Sequence, residues 1–148
     1  MNTPSTVEAI RVLLAEGPFK RVEGELALSQ LAADRAPPLA LPAAFVISES
    51  ESVSDAAQGS NIYEQIVSET IGVVIVVAAD ALRRGQAAAS LDALRAFVLD
   101  QLFAASPLPG LSRPLAYQGA QLIGLSGGRV SRILRFRAIS RIRRTGAF

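Results

Sequence analysis

The sequence contains no histidine, no cysteine and no tryptophan. Without cysteine or histidine there is no Cys/His zinc site, no thiol nucleophile and no Ser-His-Asp triad. There is no disulfide framework either, so nothing points to an oxidising compartment. Aromatic residues make up only 5% of the chain and charged residues 19%. Long apolar runs are also missing. The longest unbroken one covers residues 71–79 and ends at Asp80. A membrane-crossing helix needs about 20 apolar residues. A barrel strand needs ~9–11, but such strands alternate and this run does not. The amino terminus, Met1-Asn2-Thr3-Pro4, lacks the basic-then-apolar order of a signal peptide, so neither a leader nor a membrane partner is expected.

What the chain has in excess is apolar content. It has 148 residues, half of them apolar, and a mean hydropathy of +0.34. That length suits one domain, which buries about 70% of its unfolded surface. The surplus apolar surface is expected to bury against copies of the same chain.

Charge is segregated along the sequence. Residues 1–100 hold all thirteen acids and seven bases, whereas residues 101–148 hold eight arginines and no acid. Seven of those arginines lie between Arg129 and Arg144. Arginine suits fixed, bidentate pairing with carboxylate or phosphate.

Local patterns predict the element order. Ser5-Thr6-Val7-Glu8 reads as a capping box, followed by Val7, Ile10, Leu13 and Leu14 on one helical face and a stop at Gly17-Pro18. Residues 19–24 suggest a short strand, and residues 26–33 a helical turn. Residues 42–47 read as a strand starting after a proline. Residues 48–61 lack periodicity and are rich in Ser, Glu, Asp, Gln and Gly, so they are expected to form a long mobile loop. Residues 62–79 carry the strongest strand signal. Their first half alternates and their second half is apolar on both faces, as in a strand running from a wet end into a doubly covered centre. Gly72 marks an expected bend or bulge at the change.

Residues 87–104 read as a helix capped by Ser90 or Gln86, with Leu91, Leu94, Val98 and Leu102 as its stripe and Phe97 widening it. Residues 114–125 suggest a strand, Ser126-Gly127-Gly128 a hairpin turn, and residues 130–143 a last strand. Period two puts Val130, Leu134, Phe136 and Ala138 on one side of that strand. The other side carries Arg135, Arg137, Arg141 and Arg143. The expected fold is α+β: one domain over residues 1–148, with a mostly antiparallel sheet, a long central strand, an N-terminal helix and one longer helix.

No constellation argues for catalysis, a metal or a cofactor. The run from Gly124 to Arg129 is glycine-rich, but it precedes a strand and lacks the lysine of a phosphate loop. Glu49, Glu51 and Asp55 do not have calcium-loop spacing. Glu64 and Glu69, five apart on a strand, point to opposite faces and do not converge. The arginine side has three readings. It is a solvated face that discourages aggregation, a subunit surface, or a nucleic-acid surface. The subunit surface would meet Glu64, Glu69 or the Glu49–Glu51–Asp55 segment of another copy. The nucleic-acid reading lacks stacking aromatics, because Phe136 points inward by parity.

Several features together resemble the tail terminator proteins of long-tailed bacteriophages, the lambda-type and Mu-like tail-capping group. They are Pro42-Ala43-Ala44-Phe45-Val46 before the polar segment, and Gln65 through Gly72-Val73-Val74-Ile75 in the long strand. They continue with Leu91-x-x-Leu94-Arg95-x-x-Val98 on the helix and Pro114-Leu115-x-Tyr117-x-Gly119 before the closing hairpin. The resemblance implies a structural virion protein, assembled in the host cytoplasm and placed at the head–tail junction, and not an enzyme. It implies a homohexameric ring on the tail tube that stops its growth and joins the head. The implied partners are its own copies, the tail-tube protein and a head-completion or connector protein, with DNA passing the lumen without specific binding. A tail-completion or head–tail connector component, or a small nucleic-acid-binding domain using the arginine strand, are the alternative readings. The contact residues proposed above come from period two and charge alone.

Overall fold

The computed structural model describes residues 5–25, 41–59, 61–78, 86–103, 110–126 and 128–146. In chain order these form α1 (Thr6–Ala15), β1 (Arg21–Glu23), β2 (Ala43–Val53), β3 (Ala57–Gly59), β4 (Ile62–Ala78), α2 (Gln86–Leu102), β5 (Ala116–Ser126) and β6 (Arg129–Thr145). The strands make one sheet of order β1-β2-β4-β6-β5, with β3 also on β4. Every pairing is antiparallel except β1 with β2. This is the expected α+β architecture, with one strand more than the sequence suggests.

The helices start and stop where their residues dictate. The Ser5 side chain accepts a hydrogen bond from the Glu8 backbone N–H at 3.2 Å, which satisfies one free donor of the first turn of α1. Ile10 and Leu14 are buried, and the Gly17 N–H donates to the Leu14 carbonyl at 3.1 Å as the chain leaves the helix. Gly17 is glycine for a packing reason. A Cβ there would lie 2.0 Å from Phe97 Cζ, so the α2 ring occupies the space a side chain would need. Phe97 also meets Phe19 edge-on, with centroids 6.0 Å apart. On α2 the stripe of Leu91, Leu94, Val98 and Leu102 is buried as its spacing requires. The helix begins at Gln86, so Ser90 sits inside it and is not its cap.

β4 organises the core. Its residues 71–77 are all buried, and they face both ways. Ile71, Val73, Ile75 and Val77 join Ile10, Leu14, Leu94, Val98, Leu134 and Phe136 in the cluster under the two helices. Val74 and Val76 face the opposite side, with Ala43, Phe45 and Ile133 in a second buried cluster. The expectation of a strand entering a doubly covered centre is met. β5 and β6 form the closing hairpin. Ser126 pairs with Arg129, and Gly128 has a φ of 74°, the left-handed conformation a tight turn requires.

Two expectations need correction. Residues 48–61 do not form a long loop. Residues 48–53 continue β2 along β4, and β3 pairs with residues 62–64 after a short break. Asn61, at a φ of 62°, turns the chain from β3 into β4. Periodicity failed here because the segment lies past the helices, where neither face needs to be apolar. Gly72 does not bulge either, since β4 pairs with β6 without a break from Ile62 to Ala78. The bulge lies in β2, where the register shifts between Ser48 and Ser50 and leaves Glu49 unpaired. The helical turn suggested for residues 26–33 lies outside the described residues.

Candidate functional site

Beyond the helices the sheet continues as an arm of three strands. It comprises residues 48–59 of β2 and β3, residues 62–70 of β4 and residues 137–145 of β6. Nine β4 residues span about 30 Å at ~3.3 Å each. Ser54 holds the break between β2 and β3 onto β4. Its N–H donates to the Ile66 carbonyl at 2.9 Å, and its hydroxyl accepts from the Ile66 N–H at 2.9 Å. The Gln65 side-chain amide donates to the Ser54 carbonyl at 3.1 Å.

Val67 is the only buried residue in the β4 part of the arm. Val53, Tyr63, Ile66 and Ile142 are exposed apolar side chains there. Register distributes them. Val53 pairs with Val67, which shares the helix-side face of β4 with Tyr63, and Ile142 pairs with Gln65 on that same face. Ile66 pairs with Arg141 on the other face.

The charges chosen from the sequence all lie on this arm or at its root. Parity is as expected: Glu64 pairs in register with Arg143, and Glu69 with Ala138, on opposite faces. Within the chain, Glu64 forms ion pairs with Arg141 at 3.4 Å and Arg143 at 3.5 Å. Glu69 accepts from the Ser48 hydroxyl at 2.6 Å. At the root, Glu49 meets Arg135 Nε at 2.9 Å, and the Gln121 side-chain oxygen accepts from Arg135 Nη1 at 3.1 Å. With its amide oxygen turned toward Arg137, Gln118 accepts from that guanidinium at 3.2 Å. Glu51 and Asp55 are exposed and make no ion pair among the described residues. The structure therefore brings Glu49 to Arg135 and Glu64 to Arg141 and Arg143. It does not gather Glu49, Glu51 and Asp55 into a cation site, and among the described residues no group of acidic side chains could hold a metal.

Two details escaped sequence reasoning. The first is why Gly72 is glycine. A Cβ there would lie 2.9 Å from Glu49 Oε1 and 2.7 Å from Ile133 Cδ1. Gly72 pairs with Ile47 on one side and Arg135 on the other. The bare backbone lets the bulged Glu49 reach across the central strand to Arg135. No one-dimensional pattern announces such a crossing. The second is the partner of Arg132, which its even position puts on the apolar side of β6: it meets Asp92 of α2 at 3.4 Å. Arg95 likewise lies over the Tyr117 ring at 5.6 Å.

No described helix is long and apolar enough to cross a membrane. A family model described as phage tail terminator protein matches residues 3–146. Among solved structures, a chain of the virion of a native gene transfer agent particle has the same fold, with a TM-score of 0.52 at 18% identity. That match covers 93% of this chain and 96% of the other. No curated protein matches the sequence.

Proposed function

The chain belongs to the phage tail terminator protein family, whose members are structural proteins of the virion; on that premise we propose that six copies form a ring that caps the tail tube. The ring stops tube growth, offers the surface that a head-completion or connector protein joins, and lets DNA pass through its hole. Each chain acts as a single domain, and the reaction is assembly, with no bond made or broken.

The observation that carries this reading is the arm. A three-stranded extension with a single buried β4 residue has little core of its own. It also exposes Val53, Tyr63, Ile66 and Ile142, side chains that gain by being covered. Closed rings use two different surfaces of each copy, and the arm carries acids and bases on different strands. On this reading Arg137, Arg141, Arg143, Glu51 and Asp55 contact other virion subunits. Arg135, Glu49, Glu64 and Glu69 shape the arm through the partners they already have.

The test is tube growth. Purified tail-tube protein is polymerised with and without this chain, and the products are measured by electron microscopy. Added protein is expected to shorten the tubes and to appear as a ring on one end. Tubes of unchanged length with bare ends would overturn the proposal.

A further inference from the structure

The two edges of the arm differ in charge, and among the described residues both are open. On one side, β1 pairs only with residues 43–45 of β2. The outer edge of residues 46–59 therefore has no strand beside it among the described residues. That segment carries Glu49, Glu51 and Asp55 and no base. On the other side, β5 leaves β6 at Arg137. A bridge between Leu111 and Ser140 and the Ser112 N–H on the Ile139 carbonyl cover the next step. Residues 141–145 then have no strand outside them among the described residues, and they carry Arg141, Arg143 and Arg144 and no acid.

The backbone groups on these edges point outward. Along an antiparallel strand, alternate residues turn their N–H and C=O to opposite sides. Ile139 turns its carbonyl outward to Ser112, and Gly146 turns its N–H inward to Asn61. Arg141, Arg143 and Thr145 thus face out. Ser54 faces in, toward Ile66, so Glu51 and Val53 face out. Two arginines share the one carboxylate of Glu64, and among the described residues Glu51 and Asp55 have no cation. Each edge keeps a surplus of one sign.

We infer that the arms of neighbouring copies join edge to edge, the acidic β2–β3 edge of one against the basic β6 edge of the next, so that the ring is closed by a continuous circular sheet. The occupant of each edge is a second copy of this chain. The contact is heterologous, as ring closure requires, and backbone pairing supplies the attraction that charge then orients. β2 and β6 both run antiparallel to β4. A rotation axis along the strands preserves direction, so the new pairing is parallel. β5, the other long edge, has two register shifts, which discourage pairing, and no charged residue to orient a partner. The junction rests on the ring reading above and adds to it where the copies touch.

The absence of native cysteine gives a clean test. Ala57 and Arg143 flank Glu64 on its two sides. Within one chain they are two strand spacings apart, roughly 10 Å, too far for a disulfide, which needs Cα atoms within ~7 Å. A panel pairing S52C or A57C with R141C, R143C or T145C, all on the same face of the sheet, allows for stagger. After oxidation of assembled rings, at least one double variant is expected to give a ladder of linked copies in denaturing gels, while the single variants stay monomeric. Rings that form while no pair links would overturn the junction and leave the ring. A native chain that forms no ring with or without tail tubes would overturn both.

A second measurement uses charge. The E51R/D55R variant has two basic edges and the R143E/R144E variant two acidic ones. Each alone is expected to assemble at least tenfold more weakly than the native chain. An equal mixture is expected to recover rings of alternating copies. Mixtures no better than either variant, or variants that assemble like the native chain, would overturn the junction.

Discussion

The two halves of β4 teach the most when set side by side. They are one unbroken strand, bonded throughout to β6. Residues 71–77 are buried on both faces, while in residues 62–70 only Val67 is buried. The proximal half is held by what lies above and below it. The distal half is held by its ladder hydrogen bonds and by the few side chains that cross it. The first kind of region makes the molecule stable. The second leaves backbone edges, unmatched charge and exposed apolar side chains, the materials for assembly.

If that contrast is right, truncations should separate the halves by several kcal/mol. Phe136 is fully buried beside Tyr117, at 5.4 Å between centroids, and Phe136→Ala should cost about 3–5 kcal/mol in urea unfolding. Ile142, six residues along the same strand and 58% exposed, should cost within about 0.5 kcal/mol as alanine. Equal costs would erase the distinction. A smaller loss is expected from Gly17→Ala. The added methyl overlaps Phe97, which is itself pinned against Phe19. About 1–3 kcal/mol should disappear from the unfolding free energy.

Gly72→Ala probes the junction of the halves and should cost about 1 kcal/mol. The atoms it meets most closely are the ends of Ile133 and Glu49, with Ile47 Cγ1 next at 3.2 Å, and the partly exposed Glu49 is the one free to swing aside. In a Glu49→Ala background the penalty should shrink, because one of those atoms is gone. Full additivity in the double-mutant cycle would contradict the crossing described here. The smallest effect belongs to the Glu49–Arg135 pair, whose side chains are 26% and 33% exposed. Glu49→Gln should lower stability by about 0.2–1 kcal/mol. The deficit should narrow as salt is added, because screening already weakens the native pair.

The proximal half was legible in the sequence. Apolar spacing at Leu91, Leu94, Val98 and Leu102 marks a helix face, and the run at residues 71–79 marks a doubly covered strand. Alternation in β6 put Phe136 in the core and the arginines outside it. The distal half was only partly legible. Residues 48–61 looked like a loop because a strand with solvent on both faces has no reason to alternate. The acids singled out for a neighbour's arginines include Glu49 and Glu64, which have partners in their own chain. Pairing across β4 depends on register, and a single sequence does not carry register between strands 86 residues apart. Glu51 and Asp55 were grouped with them by charge, and only the open edge distinguishes their situation.

Amide hydrogen exchange, followed in the free chain and in the assembled ring, tests the division of labour most directly. The account predicts that outward-facing amides of the arm, those of Glu51, Val53, Arg141 and Arg143, slow markedly on assembly, while amides of residues 71–77 stay as slow as before. Arm amides that exchange equally fast in both states would contradict it.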